Sequence, residues 1–323
     1  MYFLQFRSNE ADLTDFPPLA PAFDRRRDGR RAGGAKRRSR VVRRAVPVLL
    51  AGLAKISLEA SAALAERLFR TPARQRRTPA EDRVLSTGRP VLVPTRRGPL
   101  AAWRWGEGAP AVLLVHGWGG HAGRLTKFVA PLLDAGFSVV AFDSLAHGSS
   151  PGRQASLPDF ADGIRALDAR EGPFEAVIGH SMGAAGAGLA IRDGWAVKRA
   201  VFLSPPADPE EFTRRFARSL RIPPDVRDAM KRRLLARYST RWRDLKLIAC
   251  APAVPVPLLI FHDERDHKVP LRDRDAILLA WRQATIVHTR GLGHHRILRD
   301  PAVIRGAVAF VAAGTGTSRL ARA

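Results

Sequence analysis

Cysteine is almost missing from this sequence: Cys250 is the single one in 323 residues. No intramolecular disulfide can form, and metal sites built on several thiolates are excluded. Tyrosine occurs twice and methionine three times. Acidic residues are also short, with 30 Asp and Glu against 54 Lys and Arg, for a formal net charge of +24. No uninterrupted apolar run reaches the roughly 18 residues that a bilayer span needs. The nearest candidate, 46–69 (VPVLLAGLAKISLEASAALAERLF), is broken by Lys55, Glu59, Glu66 and Arg67. Its start looks like the apolar part of a signal peptide, but it lies too far from Met1 to serve as one. These shortages give the expectation of a cytoplasmic chain, with peripheral contact at a membrane surface left open.

Apolar residues make up 46 %, enough for a sizeable core in a chain of this length. Most of the basic residues are dispersed and read as solvated faces. The exception is the N-terminal stretch, where 25–44 reads RRRDGRRAGGAKRRSRVVRR. So little apolar surface cannot order itself, so 1–44 is expected to be a disordered basic arm. The arm contacts RNA, DNA or phospholipid, or else lies upstream of the true start. Residues 45–88 read as an amphipathic helix and linker. Leu49, Leu50, Leu53, Ile56, Leu64 and Leu68 recur at near-helical spacing. This helix packs on the domain or lies on a membrane surface.

From residue 89 strands alternate with helices. PVLV and LAAWRW flank the turn PTRRGP and predict an antiparallel hairpin. AVLLVHG (111–117), SVVAFD (138–143), EAVIGH (175–180), RAVFLS (199–204), PVPLLIFHD (255–263) and TIVHTR (285–290) read as strands. Helices are expected near 122–135, 157–170, from Met182, near 271–283 and near 301–312. The all-apolar run 111–115 marks a strand buried on both faces. Such alternation predicts a mostly parallel sheet with helices on both faces over about 89–315, followed by a short tail at 316–323. One stretch breaks the rhythm. About 50 residues between the strands at 199–204 and 255–263 are helical in pattern and basic, and predict a helical cap at about 205–252. Its cations, Arg214, Arg215, Arg218, Arg221, Lys231, Arg232 and Arg233, form a solvated face or attract an anionic substrate such as a coenzyme A thioester.

Gly179-His180-Ser181-Met182-Gly183 fits G-x-S-x-G between a strand and a helix. A sharp turn there holds a serine oxygen exposed, and Gly179 and Gly183 let the chain pass without a Cβ clash. The new helix directs its free N–H groups at any oxyanion formed beside it. A serine hydroxyl needs a general base oriented by an acid. His294, in the Gly-rich loop GLGHHRI (291–297), is placed as the base, ahead of its neighbour His295. Asp266, in HDERDHKVP (262–270), is placed as the acid ahead of Asp263, with Asp208 third. The backbone N–H groups of Trp118 and Met182 are placed as an oxyanion hole. His116 and Gly117 support that loop, and Asp143 and His147 order the turn FDSLAHGSS (142–150) beside the site.

These motifs, HGWGG, FDSLAHGSS, GHSMGA, HDERDHKVP and GLGHHRI, resemble the α/β-hydrolase superfamily in their order and separations. The resemblance covers about 89–315, and is closest to bacterial serine hydrolases with a small helical cap. It implies an α/β-hydrolase fold, with Ser181 as nucleophile, His294 as base, Asp266 as orienting acid, and Trp118 and Met182 as oxyanion donors. The basic arm and the doubled histidine depart from the family pattern. The expected activity is hydrolysis of a small-molecule carboxylic ester or thioester through an acyl-enzyme. Acyl transfer, peptide cleavage and C–C bond hydrolysis use the same triad. The contrasting expectation is a non-catalytic scaffold whose basic arm binds nucleic acid or anionic membrane. No metal, organic cofactor or obligatory protein partner is expected, and 25–44 is expected to touch anionic surfaces weakly.

Overall fold

The computed structural model describes residues 45–108, 110–250 and 256–313. The arm expected over 1–44 and the tail over 316–323 lie outside the described residues. Two helices come first, α1 over 45–56 and α2 over Leu58–Phe69. The sequence predicted one helix here; Ser57 divides it. The Ser57 backbone is extended, and its side chain accepts the Ala60 N–H, so it caps α2. The stretch expected as linker holds another helix, α3 (Pro79–Leu85), closed by a capping box between Thr78 and Glu81.

β1 (Arg89–Val93) and β2 (Leu100–Trp105) form the expected antiparallel hairpin. Next come β3 (Ala111–Val115), a 3-10 segment (Ala122–Phe128) running into α4 (Val129–Asp134), and β4 (Ser138–Phe142). α5 (Leu157–Glu171), β5 (Phe174–His180), α6 (Met182–Arg192) and β6 (Arg199–Leu203) continue the alternation. The insertion before the next strand carries α7 (Glu210–Ser219) and α8 (Pro224–Arg237). The chain then forms β7 (Leu258–Asp263), α9 (Leu271–Ala280), β8 (Ala284–Thr289), α10 (Gly293–Arg296) and α11 (Pro301–Ala312).

The eight strands lie in the order β1-β2-β4-β3-β5-β6-β7-β8. β2 runs antiparallel to β1 and β4, and every other pairing is parallel. This is an α/β-hydrolase fold. Its central strands explain their own composition. In β3, Leu113 and Val115 pack against α5 and α6 on one face, while Val112 and Leu114 pack against α4 and α11 on the other. Each buried Val or Leu contributes roughly 1.5–3 kcal/mol relative to exposure, so neither face tolerates a polar residue. At the sheet edge β8 has only half-buried and exposed positions instead.

A third apolar cluster joins distant parts of the chain. Leu50 of α1 and Ala65 of α2 pack with Ala217, Ile222, Val226, Met230 and Leu234 of the insertion. Glu66 is buried at its border, where Arg70, Arg233 and Arg237 converge on its carboxylate. Of the insertion's cations, Arg214, Arg215, Arg218, Lys231 and Arg233 all pair with Glu59, Glu66, Glu210 or Glu211. Among the described residues no helix is long and apolar enough to cross a membrane.

Candidate active site

Ser181 occupies the single residue between β5 and α6, with φ 52° and ψ −119°. A side chain in this region is strained by about 1–3 kcal/mol and persists only where its surroundings fix it. They do so here. The Ser181 N–H donates to Leu203 O at 2.9 Å, and its carbonyl accepts the Ala184 N–H at 3.0 Å. The flanking glycines are demanded by crowding. A Cβ on Gly179 would lie 2.7 Å from Ala184 Cα, and one on Gly183 would run into the Val115 and His116 carbonyl oxygens. Ser181 is 6 % exposed, so little water surrounds its hydroxyl.

His294 follows β8. It lies within the one-turn helix α10, which corrects the expectation of a helix-free loop; Gly293, at φ 62°, makes the turn that admits it. Its Nδ1 is 2.7 Å from Asp266 Oδ2. The other oxygen, Asp266 Oδ1, accepts the Lys268 and Val269 N–H groups at 2.7 and 2.9 Å. Burial pushes the Asp266 carboxyl up; the hydrogen bond and charge of His294 and the Val269 N–H outweigh it and hold the group well below the usual carboxylate range. Asp266 is therefore ionised.

Asp263 does a different job. Its Oδ1 accepts the Arg265 N–H at 2.9 Å, and its Oδ2 accepts the Thr289 hydroxyl at 2.8 Å and the Leu292 N–H at 2.9 Å. It ties the end of β7 to the turn that carries His294. His295 is exposed, its ring 5.1 Å from that of His294. Asp208 pairs with Lys246 at 2.8 Å in the insertion.

The β3–β5 register sets Val115 beside Gly179, which brings the turn after β3 against Ser181. A Cβ on Gly117 would lie 3.1 Å from Ser181 Cβ and 2.9 Å from His180 Nδ1. Met182 opens α6, so its N–H has no carbonyl four residues back to bond within the helix. Trp118 follows Gly117, its ring 5.2 Å from that of His147. His116 bridges two loops: its Nε2 accepts the Ser144 N–H at 2.9 Å, so Nδ1 carries the proton and donates to Gly117 O at 2.8 Å. Complete burial lowers its pKa to about 4, which keeps it neutral. Burial, followed by the nearby His116, lowers His147 to about 3. Asp143 accepts the Ala122 and Ser149 N–H groups at 2.7 and 2.6 Å and pairs with Arg77. His116, Asp143 and His147 thus bond to loop backbone around the site.

Sequence reasoning missed two contributors. The first is His180, whose Nε2 lies 2.9 Å from His294 O, with the two rings 4.7 Å apart. Burial, and then the neighbouring His294, keep His180 neutral, so its Nε2–H donates to that carbonyl. The second is the strap from Arg70 to Thr78, expected to be linker. Gln75 N–H donates to Gly119 O at 2.9 Å, directly behind Trp118. Arg74 donates to the carbonyls of Ala146, Gly148, Ser150 and Gly152. The strap has no periodic apolar pattern; its sequence signals were Pro72 and the Thr78–Glu81 capping box.

Two open clefts lie elsewhere. One, of about 570 Å³, is lined by Arg192, Ser239, Thr240, Arg241, Asp244 and Ala249; the other, of about 340 Å³, by Glu66, Arg233, Ala236 and Arg237. Among the described residues no three His, Cys, Asp or Glu side chains are grouped as a metal ion would require.

Comparison with known proteins agrees with this topology. The solved esterase Pf2001 of Pyrococcus furiosus superposes with a TM-score of 0.55 at 20 % identity, covering 75 % of this chain and 95 % of that one. Est1E of Butyrivibrio proteoclasticus, solved with ferulic acid bound, gives 0.52 at 19 % identity over 69 % and 97 %. A bromoperoxidase of Bacillus anthracis gives 0.53 at 16 % identity over 69 % and 99 %. Identities this low show a shared fold and leave the chemistry to be argued from the site. No curated protein matches the sequence significantly. The sequence model of the Alpha/beta hydrolase family matches residues 112–307, more than half of the chain and the whole span from β3 into α11. The chain belongs to the alpha/beta hydrolase family.

Proposed function

We propose that the protein is a serine hydrolase that cleaves a carboxylic ester or thioester through an acyl-enzyme on Ser181. The observation that carries this reading is the 2.7 Å bond between His294 Nδ1 and ionised Asp266, at the same sheet edge as a serine held in a strained strand-to-helix turn. Asp266 fixes the proton on Nδ1, which leaves Nε2 as the basic nitrogen. Ser181 Oγ forms a bond to the substrate carbonyl carbon as its proton passes to Nε2. The carbonyl electron pair moves onto oxygen, where the Trp118 and Met182 N–H groups receive it. Each such donor is worth roughly 10²–10³ in rate. Collapse expels the alcohol or thiol, which takes the proton from Nε2. Water then repeats the sequence and releases the carboxylic acid, restoring Ser181. The solved protein Pf2001 of this fold is an esterase, which supports the same reading.

The test is chemical. A p-nitrophenyl ester should give a burst of nitrophenolate, and quenched protein should carry one acyl group on the Ser181 peptide by mass spectrometry. Turnover without an acylated Ser181 peptide, or no turnover of esters or thioesters of any chain length, would overturn the proposal.

A further inference from the structure

Helix α1 is apolar on both sides. Its inner face is occupied, since Leu50 is fully buried among Val226, Met230 and Leu234, and Leu50 O accepts the buried Ser61 hydroxyl at 2.9 Å. Among the described residues its outer face has no such cover. Ala45, Val48, Leu49, Gly52, Lys55 and Ile56 are exposed, at the spacing of one helical stripe. Val48 is 73 %, Leu49 55 % and Ile56 86 % exposed, and these are three of the six exposed large apolar side chains among the described residues. Water-facing helices normally carry charge on this side. Here the stripe's one charge is Lys55, whose long stem lets its ammonium reach polar surroundings while its methylenes lie on apolar ones.

The sequence next to this face bears on what it meets. Residues 25–44, directly before α1, hold eleven Lys and Arg against one Asp. An apolar stripe alone fits a second protein copy or a bilayer. A basic run alone fits nucleic acid or an anionic bilayer. Only an anionic lipid surface satisfies both, because its headgroups attract the cations while its acyl boundary receives the apolar side chains. A second copy would set two such basic runs against one another. Duplex nucleic acid would leave Val48, Leu49 and Ile56 in water.

We propose that the outer face of α1 is a peripheral docking surface for anionic phospholipid bilayers. Lipid meets the outer face of α1 while its inner face stays locked on the insertion. Neither the described helices nor this proposal requires a membrane span.

The experiment is flotation of the full-length chain with vesicles of phosphatidylcholine alone or with about one-third phosphatidylglycerol, at low and moderate salt. The intact chain should partition at least about tenfold more strongly into the anionic vesicles, and salt should weaken this. The variant Val48→Gln/Leu49→Gln/Ile56→Gln changes exposed side chains only. It should keep its circular dichroism and lose at least about tenfold in partitioning. The proposal fails if the intact chain stays unbound. It also fails if the variant binds as well as the intact chain, which would leave electrostatics alone. It fails again if the intact chain sediments as a dimer that the variant abolishes, or binds a short DNA duplex more tightly than the anionic vesicles.

Discussion

Replacing Asp266 by Asn should cost about four orders of magnitude in kcat while leaving the fold in place. The reasoning starts from the two carboxylate oxygens. Oδ1 accepts the Lys268 and Val269 N–H groups, so only an acceptor can stand there. The new amide nitrogen must therefore take the place of Oδ2, 2.7 Å from His294 Nδ1. Two N–H groups cannot face each other at that distance. The imidazole answers by moving its proton to Nε2, where the free lone pair was needed to accept from Ser181. A loss of about 10⁴ corresponds to ~5.5 kcal/mol of transition-state stabilisation. Asp263→Ala is the control, because that carboxylate bonds Arg265, Thr289 and Leu292 and not the His294 ring. It should lower stability by at least about 2 kcal/mol in urea denaturation, with a smaller effect on kcat than Asp266→Asn. Steady-state hydrolysis of a p-nitrophenyl ester, with melting curves of both variants, decides the matter. If Asp266→Asn stays within tenfold of the intact enzyme while folded, the assignment of the acid is wrong.

Two further perturbations probe the surroundings. Gly117→Ala would set a methyl 2.9 Å from His180 Nδ1 and 3.1 Å from Ser181 Cβ, so the turn after β3 must back away from the serine. A loss of roughly 10²-fold in kcat/KM with unchanged circular dichroism is expected, and full activity would show that this turn does not face the reacting carbonyl. Glu66 tests the contact between the first helices and the insertion. Burial raises its carboxyl, but the hydrogen bond and charge of Arg237, then Arg233 and Arg70, bring it below its ordinary value of 4.5. The stabilisation is therefore fully present above pH 4.5 and fades as pH falls through the lower folded value. Glu66→Gln should cost about 3–5 kcal/mol at neutral pH, and the gap to the intact chain should narrow in urea titrations below pH 4.5. A gap independent of pH would assign the loss to packing.

The strands could be read from the chain because they are buried on both sides. Only apolar residues suit β3 when Val112 and Leu113 face opposite cores, so the run announces itself. The serine turn was equally plain, since Gly179 and Gly183 are forced by close backbone contacts. Other features arise only in three dimensions. Ser57 sits inside a continuous apolar pattern, and periodicity alone does not reveal that it caps a new helix. Asp263 ends β7 and Asp266 follows it, and both begin short turns by accepting the N–H two residues on. Composition cannot tell which one faces His294; the path of 263–269 does. The strap over 70–78 contributes through single arginines to backbone carbonyls, a kind of contact that leaves no repeat in the sequence. The packing of Leu50 against Val226 and Met230 likewise joins segments some 175 residues apart, beyond any local signal.

The central claim is that Ser181 is an activated nucleophile, and the most direct measurement is labelling with a fluorophosphonate. The intact chain should take up one probe on the peptide containing Ser181, and Ser181→Ala should take up none while melting as the intact chain does. Absence of labelling in the intact chain, or labelling that survives in Ser181→Ala, would contradict the account.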